Sequence, residues 1–462
     1  MITVFIRRVV PLLGLAAALA VLVGLQDVPA VGSDIWLHLR LGHEFSSGWS
    51  LAHPGHLGSF DSGTWYPTQW LSQLAMARTD TVLGLGGVIW LAGIPILLFP
   101  VVLYLIGRAY AAPLPAVLTA CVATAAAAPG LTARPQTLSY ILIAIVTAAW
   151  LATARDGKPR YWLIPLAWIW VPLHGMWVIG ITVGVAAFVG IALSRPGEWR
   201  LLARLASIPA LSVAVAVLTP LGFNVFRGVI GVGDRNEQLT EWQPPDITSP
   251  SSLFLALMIV VILVSALRSE QVAWPTILIL GLGMAWGAYS ARTVMVGAAM
   301  LAPLLALSLQ KLVPQVGRPG RREIAAVASM FLVAGVALGV VSADRADEPV
   351  VASWVDTSLG TMPDGTKILN DWELGHYVLW AHPQVDVVIH GYVDVFTTQE
   401  LDRNIDILRL EPEWDQAVDE LDVDYGLVDP DSPLGYALVH QLGWTEIDGD
   451  KDYVLLTPAS AS

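Results

Sequence analysis

Eleven apolar segments, each able to cross or nearly cross a bilayer, constrain this chain more than any other feature. They run over residues 9–28, 82–107, 113–129, 137–153, 161–173, 176–194, 205–222, 252–267, 273–290, 293–310 and 324–342. Hydrocarbon offers no partner to a free backbone amide, so a span needs about 20 apolar residues folded as a helix. The segment from Tyr161 to Leu173 is short for that, and it is expected to tilt, to break at Pro172 or to form half of a hairpin. A charged fraction of 14% against 55% hydrophobic residues agrees with a polytopic membrane protein. The one cysteine, Cys121, lies in an apolar run, which excludes an internal disulfide and any CxxC metal or redox motif.

The net charge of −13 divides unevenly: from Val341 onward there are 25 acids and five bases, which leaves 13 acids and 20 bases before it. Fourteen of those 20 bases, Arg7, Arg108, Arg155, Arg200, Arg268 and Arg322 among them, fall in one register of alternate loops. The positive-inside rule makes that face cytoplasmic, with the N-terminus. The loop after the first segment, the loop around Glu241 and the acidic tail are then extracytoplasmic. The first segment has the outline of a signal peptide, with "RR" before it and "VPA" after it, and is read as an uncleaved anchor. The tail's charge excludes nucleic acid as a partner and disfavours docking on anionic lipid.

After Ala343 the pattern changes. Short β-like runs ("TKILN", "VDVVIH", "YGLVD", "DYVLLTP") alternate with amphipathic stretches at Thr397–Leu408 and Glu413–Leu421, which predicts a small extracytoplasmic α/β domain over 343–462. It holds no GxGxxG, GxxxxGK[ST] or GxSxG, so nucleotide binding and a serine nucleophile have no motif to rest on. Residues 1–342 then form the transmembrane part, with an outer loop at 29–81.

The ionisable residues near the membrane collect on the outer side. Asp34 and His38 in "GSDIWLHLRLGHEF" are four apart and share a helix face, so they can act as a base pair or help to hold a divalent ion. The alternative is an interfacial helix that Asp34 merely caps, with Trp36, Leu37 and Leu41 as anchors. His53 and His56 in "HPGH" are candidate metal ligands or the flanks of a Pro-Gly turn, and Asp61 follows them. Arg134 in "TARPQ" and Arg292 in "YSART" sit where the topology rule disfavours bases. They suit a phosphate or carboxylate, or they snorkel to lipid head groups. His174 in "VPLHGMW" can satisfy a free carbonyl at a helix turn or touch a substrate. Glu241 in "LTEWQPPD" offers a carboxylate beside the ring of Trp242, or an ordered loop. Arg227 and Glu237 lie nearby.

Six stretches, "SDIWLHLRLG", "SFDSGTWYPTQWLSQL", "TARPQTLSYIL", "WIWVPLHGMWVIGI", "TPLGFNVF" with "LTEWQPPD", and "KILNDWELGHYVLW…VDVVIHGYVDVF", resemble in this order a group of bacterial membrane proteins of the type C glycosyltransferase superfamily. The resemblance implies an α-helical polytopic membrane protein in the bacterial plasma membrane that moves a sugar from a polyprenyl-phosphate carrier. The acceptor would be an envelope glycan, lipid or protein. In that superfamily an acid in the first outer loop is the base, and Asp34 holds the matching position. Direct attack would invert the anomeric carbon, and Arg134 and Arg292, with His38 and His174, would stabilise the leaving phosphate. Relatives often read Asp-x-Asp in this loop, whereas Gly32 stands at the earlier position, which puts a Mg or Mn cofactor in doubt. "DWELG" at Asp371–Gly375 faintly resembles the WWDYG motif of oligosaccharyltransferases. Two other readings stay open: a lipid-linked sugar transporter, for which internal symmetry and mid-membrane charges are lacking, and a non-catalytic envelope scaffold in which Asp34 is a cap.

Overall fold

The structure is a computed structural model that describes residues 2–231, 242–314, 317 and 319–459, with residues 2–8 described by their backbone alone. In chain order come α1 (Ile2–Gly24), α2 (Asp34–Ser46), α3 (Trp70–Tyr110), α4 (Pro113–Ala127), α5 (Gln136–Asp156), α6 (Leu163–Trp170), α7 (Trp177–Ser194) and α8 (Trp199–Ala216). They are followed by α9 (Asn224–Gly231), α10 (Pro250–Leu267), α11 (Trp274–Tyr289), α12 (Val294–Gln310) and α13 (Arg321–Arg345). Among the described residues, eight helical segments are long and apolar enough to cross a membrane, and residues 9–24 and α11 form two shorter apolar helices. Of the short segment 161–173 only eight residues are helical, about 12 Å of rise, and the chain then turns at Val171–Leu173, the break expected at Pro172. Pro172 cannot continue the amide ladder, which accounts for the break.

The chain divides into two compact units, one of residues 1–27 with 85–344 and one of residues 28–84 with 345–462. The division falls inside α3 at Gly84, whose φ of 66° and ψ of −170° are open to glycine and costly for other residues. α3 is thus two helical stretches, 70–83 and 85–110. Where a single outer loop and a separate tail were expected, the loop and the tail make one unit.

In the helical unit, α12 is central: 83% of its apolar window is buried, against 17% for α10 and 22% for α13, whose exposed Val and Leu side chains suit lipid. Close approach of α11 to α12 rests on small residues, since a Cβ on Gly297 would stand 2.9 Å from the Gly283 carbonyl and 3.1 Å from Gly287 Cα. Helix ends follow the usual chemistry. α4, α10 and α11 open with proline, and α5 ends on Gly157 in the left-handed region.

The other unit contains a five-stranded sheet of β1 (Thr366–Asn370), β2 (Val385–Val387), β3 (Tyr425–Val428), β4 (Thr445–Gly449) and β5 (Val454–Thr457), in the order β2-β1-β3-β5-β4. β1 runs parallel to β2 and β3, and β5 is antiparallel to both β3 and β4. Five helices accompany it: α14 (Ser353–Gly360), α15 (Leu374–Ala381), α16 (Thr398–Arg409), α17 (Trp414–Leu421) and α18 (Pro433–His440). Thr397 and Glu400 close α16 with a capping box, as "TTQE" spells out. The core joins Leu369, Ile407, Trp414, Val428, Leu438 and Leu456, and Phe60 from the first loop is part of it. That loop is bound further by Ser62 Oγ donating to Glu400 at 2.6 Å, Gly63 N–H donating to the Val395 carbonyl at 2.7 Å, and Trp65 set edge-on to Tyr392.

Candidate functional site

The start of α2 fixes one carboxylate. Ser33 is the N-cap, with extended backbone and its Oγ accepting from Ile35 N–H, so Asp34 in the first turn does not have to cap the helix. In the alternative reading Asp34 caps this helix, and the N-cap is Ser33. Ile35, Trp36, Leu37, Leu39 and Leu41 are buried, and Gly42 lies so close to the Gln73 carbonyl that a Cβ there would overlap it. α2 is therefore held rigidly, and the Asp34 side chain stays 29% exposed at its tip.

Its neighbour comes from α15. His376 Nε2 stands 3.8 Å from Asp34 Oδ1, and the ring is almost fully buried. His376 Nδ1 is 2.9 Å from the Glu373 carbonyl, which can only accept, so the hydrogen-bond network assigns a proton to Nδ1. In the neutral ring Nε2 is then an unprotonated lone pair facing a carboxylate. A Cβ on Gly391 would collide with His376 Nε2, so the chain leaves the ring only this place. His390 beside it stays neutral, pushed down to about 3 by burial and by the charge of His376.

Glu373 explains Gly32. A Cβ at residue 32 would stand 2.8 Å from Glu373 Cβ and 2.9 Å from its Cγ. The side chain of Glu373 thus fills the space an acid at position 32 would need, and it brings a carboxylate to the same end of α2. Asp371 serves the fold instead: it accepts from Asp429 N–H at 2.6 Å, and burial, offset in part by that bond, pushes it up to about 6.

The remaining loop candidates part company with Asp34. His38 is buried, with Nδ1 3.4 Å from Gln73 Nε2. Asp61 is 4% exposed and accepts from Leu57 and Gly58 N–H, both at 2.8 Å, so its place is the closure of its own loop. Burial raises it to about 6 against those two bonds. His56 lies half-exposed 3.9 Å from Asp61, and His53 is exposed. Gly55 between them packs on Trp49 and receives the Trp65 indole N–H, which makes "HPGH" a packed turn. Among the described residues, no group of three or more His, Cys, Asp and Glu is gathered in a way that could hold a metal. The candidates Asp34, His38, His53 and His56 are not gathered into such a group.

In the helical unit, Arg292 reaches the N-terminal end of α5, which begins two residues after Arg134 in the chain. The guanidinium of Arg292 donates to Gln136 Oε1 at 2.9 Å, two residues beyond Arg134, and lies 5.4 Å over the Trp242 ring. Ser290 and Thr293 form a capping box around the turn that carries Arg292. Two cations at the positive end of a helix favour an anion there. His174 is a satisfied core residue: Nδ1 accepts from Met176 N–H at 3.3 Å and lies 3.2 Å from Ser139 Oγ, which itself takes the Trp170 indole N–H at 2.8 Å. Arg227 is exposed on α9, and Glu237 and Glu241 lie outside the described residues. His376, Glu373 and Gln136 went unassigned in the sequence. "DWELGH" carried the first two, and only a partner more than 300 residues away gives them meaning.

No protein-family model and no curated relative matches the chain. Solved structures do. ArnT from Cupriavidus metallidurans in the apo state superposes with a TM-score of 0.57 at 14% identity, over 97% of this chain and 98% of the other. The same protein bound to undecaprenyl phosphate gives 0.51 over the same shares. An Archaeoglobus fulgidus oligosaccharyltransferase tethered to an acceptor peptide gives 0.54 at 13% identity, over 92% of this chain and 70% of the other. The chain has the fold of the type C glycosyltransferases.

Proposed function

We propose that this multi-pass membrane protein is an inverting glycosyltransferase that moves a sugar from a polyprenyl-phosphate carrier to a hydroxyl of an envelope glycan, lipid or protein. On this reading the reaction takes place on the outer face of a bacterial plasma membrane. The observation that carries it is the Asp34 carboxylate at the start of α2, facing His376 Nε2 across 3.8 Å. The likeness to ArnT bound to undecaprenyl phosphate supports the donor class.

As the acceptor oxygen attacks C1 of the sugar, its proton passes to Asp34, which becomes a neutral carboxylic acid beside the Nε2 lone pair of His376. The bond from C1 to the carrier phosphate breaks on the opposite side, so the configuration inverts. Arg134 and Arg292, at the positive end of α5, bind the phosphate before and after transfer. No step is routed through a metal, because the donors around Asp34 do not amount to a metal centre.

Purified protein in lipid, given a panel of radiolabelled polyprenyl-phosphate sugars with membrane extract as acceptor, tests the reading. Turnover that Asp34→Asn abolishes while donor binding persists is the expected result. Absence of turnover with every donor, together with equal rescue of a deletion strain by wild type and variant, rejects it.

A further inference from the structure

In the unit formed by residues 28–84 and 345–462, a cleft of about 540 Å³ opens at the far end of α2 from Asp34, lined by Arg40, His43, Asp356, Tyr377, Trp380 and His382. Its volume is that of a small-molecule site. Arg40 lies six residues beyond Asp34, about 9 Å along the helix, so the cleft is separate from the Asp34–His376 pair.

We propose that this cleft binds a neutral pyranose ring. On the glycosyl-transfer reading, on which only this role rests, the ring belongs to the acceptor. Trp380 supplies a half-buried indole whose position is fixed by Trp36, with ring centroids 4.7 Å apart, and by Tyr377 at 6.1 Å. A sugar's C–H face packs on such a ring. Asp356 is held by His382 Nε2 at 2.8 Å and by the Tyr377 hydroxyl at 3.1 Å, and its side chain is still 45% exposed, so the carboxylate keeps capacity to accept from sugar hydroxyls. Arg40, paired with Glu44 at 3.0 Å, adds donors on the opposite wall.

Arg40, Asp356, Tyr377 and Trp380 sit on helices and His382 directly follows α15, and all are braced by neighbours before any ligand arrives, which lowers the cost of ordering the site. The pairing disfavours a phosphate: Arg40 is already met by Glu44, and Asp80 and Asp356 stand against His43 and His382. A neutral polyol uses donors and acceptors together, and both are present.

Saturation-transfer NMR on the full-length protein in lipid nanodiscs, with galactose, N-acetylglucosamine and mannobiose as probes, tests this. The wild type should saturate the ring C–H protons of at least one probe, undiminished by excess inorganic phosphate. Trp380→Ala and Asp356→Asn should each weaken binding about tenfold, and Trp380→Phe should retain it. If Trp380→Ala does not fold, Asp356→Asn and Trp380→Phe decide. No saturation with any probe, equal saturation in Trp380→Ala, or displacement by phosphate overturns the proposal. Asp34→Asn should bind the probes as the wild type does. Binding without turnover on any donor then counts against the transferase reading alone, and turnover without binding counts against the cleft alone.

Discussion

The end of α2 and the end of α5 are both polar corners of an apolar protein, yet they are built with opposite chemistry. At α2, the Asp34 carboxylate faces His376 and the Glu373 side chain packs on Gly32, whereas at α5 the guanidinium of Arg292 donates to Gln136, two residues after Arg134 in the chain. On the proposed reading the first would take a proton and the second would hold an anion. The difference teaches that one kind of site cannot substitute for the other, and that mutations at the two should fail in different kinetic constants.

The largest effect is expected at Asp34. Asp34→Asn keeps shape and donor binding but removes the base, and kcat should fall by about 10²- to 10⁴-fold in a single-turnover assay with KM for the donor little changed. Next comes the cationic corner: Arg292→Ala should raise the donor KM by roughly 10- to 100-fold with a smaller change in kcat, and Arg292→Lys should recover only part. Equal losses of kcat and KM at both corners would break the comparison.

Gly32→Asp sharpens it. The added side chain must displace Glu373, and transfer should drop by about tenfold. The double change Gly32→Asp, Glu373→Gly should restore it. Gain of activity in the single variant would mean that Glu373 is not what excludes an acid at that position.

How much of this could be read from the sequence depended on whether the cause was local. Apolar length located the helices, and the short segment Tyr161–Leu173 is the one where Pro172 and a turn end α6 after two turns. Four of five strands were legible by alternation. β4, "TEIDG", was not, because it is a polar edge strand exposed along nearly its whole length. Asp34 was legible through its motif. The role of Ser33 as the cap was not, since Ser and Asp are equally good caps and only backbone geometry decides. Asp61 looked like a spare carboxylate until the amides of Leu57 and Gly58 were seen to hold it. His376 and Glu373 were illegible because their meaning lies in contacts with residues 32 and 34, and the union of the first loop with the tail was hidden for the same reason.

The smallest effect is on stability. Asp61 is raised to about 6 from an ordinary value near 3.8, mainly by burial. The folded state therefore favours its protonated form, and that contribution is full below about 4 and lost as pH rises through about 6, amounting to about 3 kcal/mol. Thermal unfolding of the protein in nanodiscs should show Tm falling between those values, with a shallower fall in Asp61→Asn. An unchanged slope would mean that the loop amides outweigh burial.

The account centres on Asp34 and His376 acting as one unit, and a double-mutant cycle tests that most directly. Transfer rates would be measured for the wild type, Asp34→Asn, His376→Gln and the double variant, each with its unfolding temperature. The account predicts that the double variant is no slower than Asp34→Asn alone, because removing the base leaves His376 nothing to assist. Losses that simply add would mean that the two side chains act independently, and the pairing across 3.8 Å would not be the catalytic device.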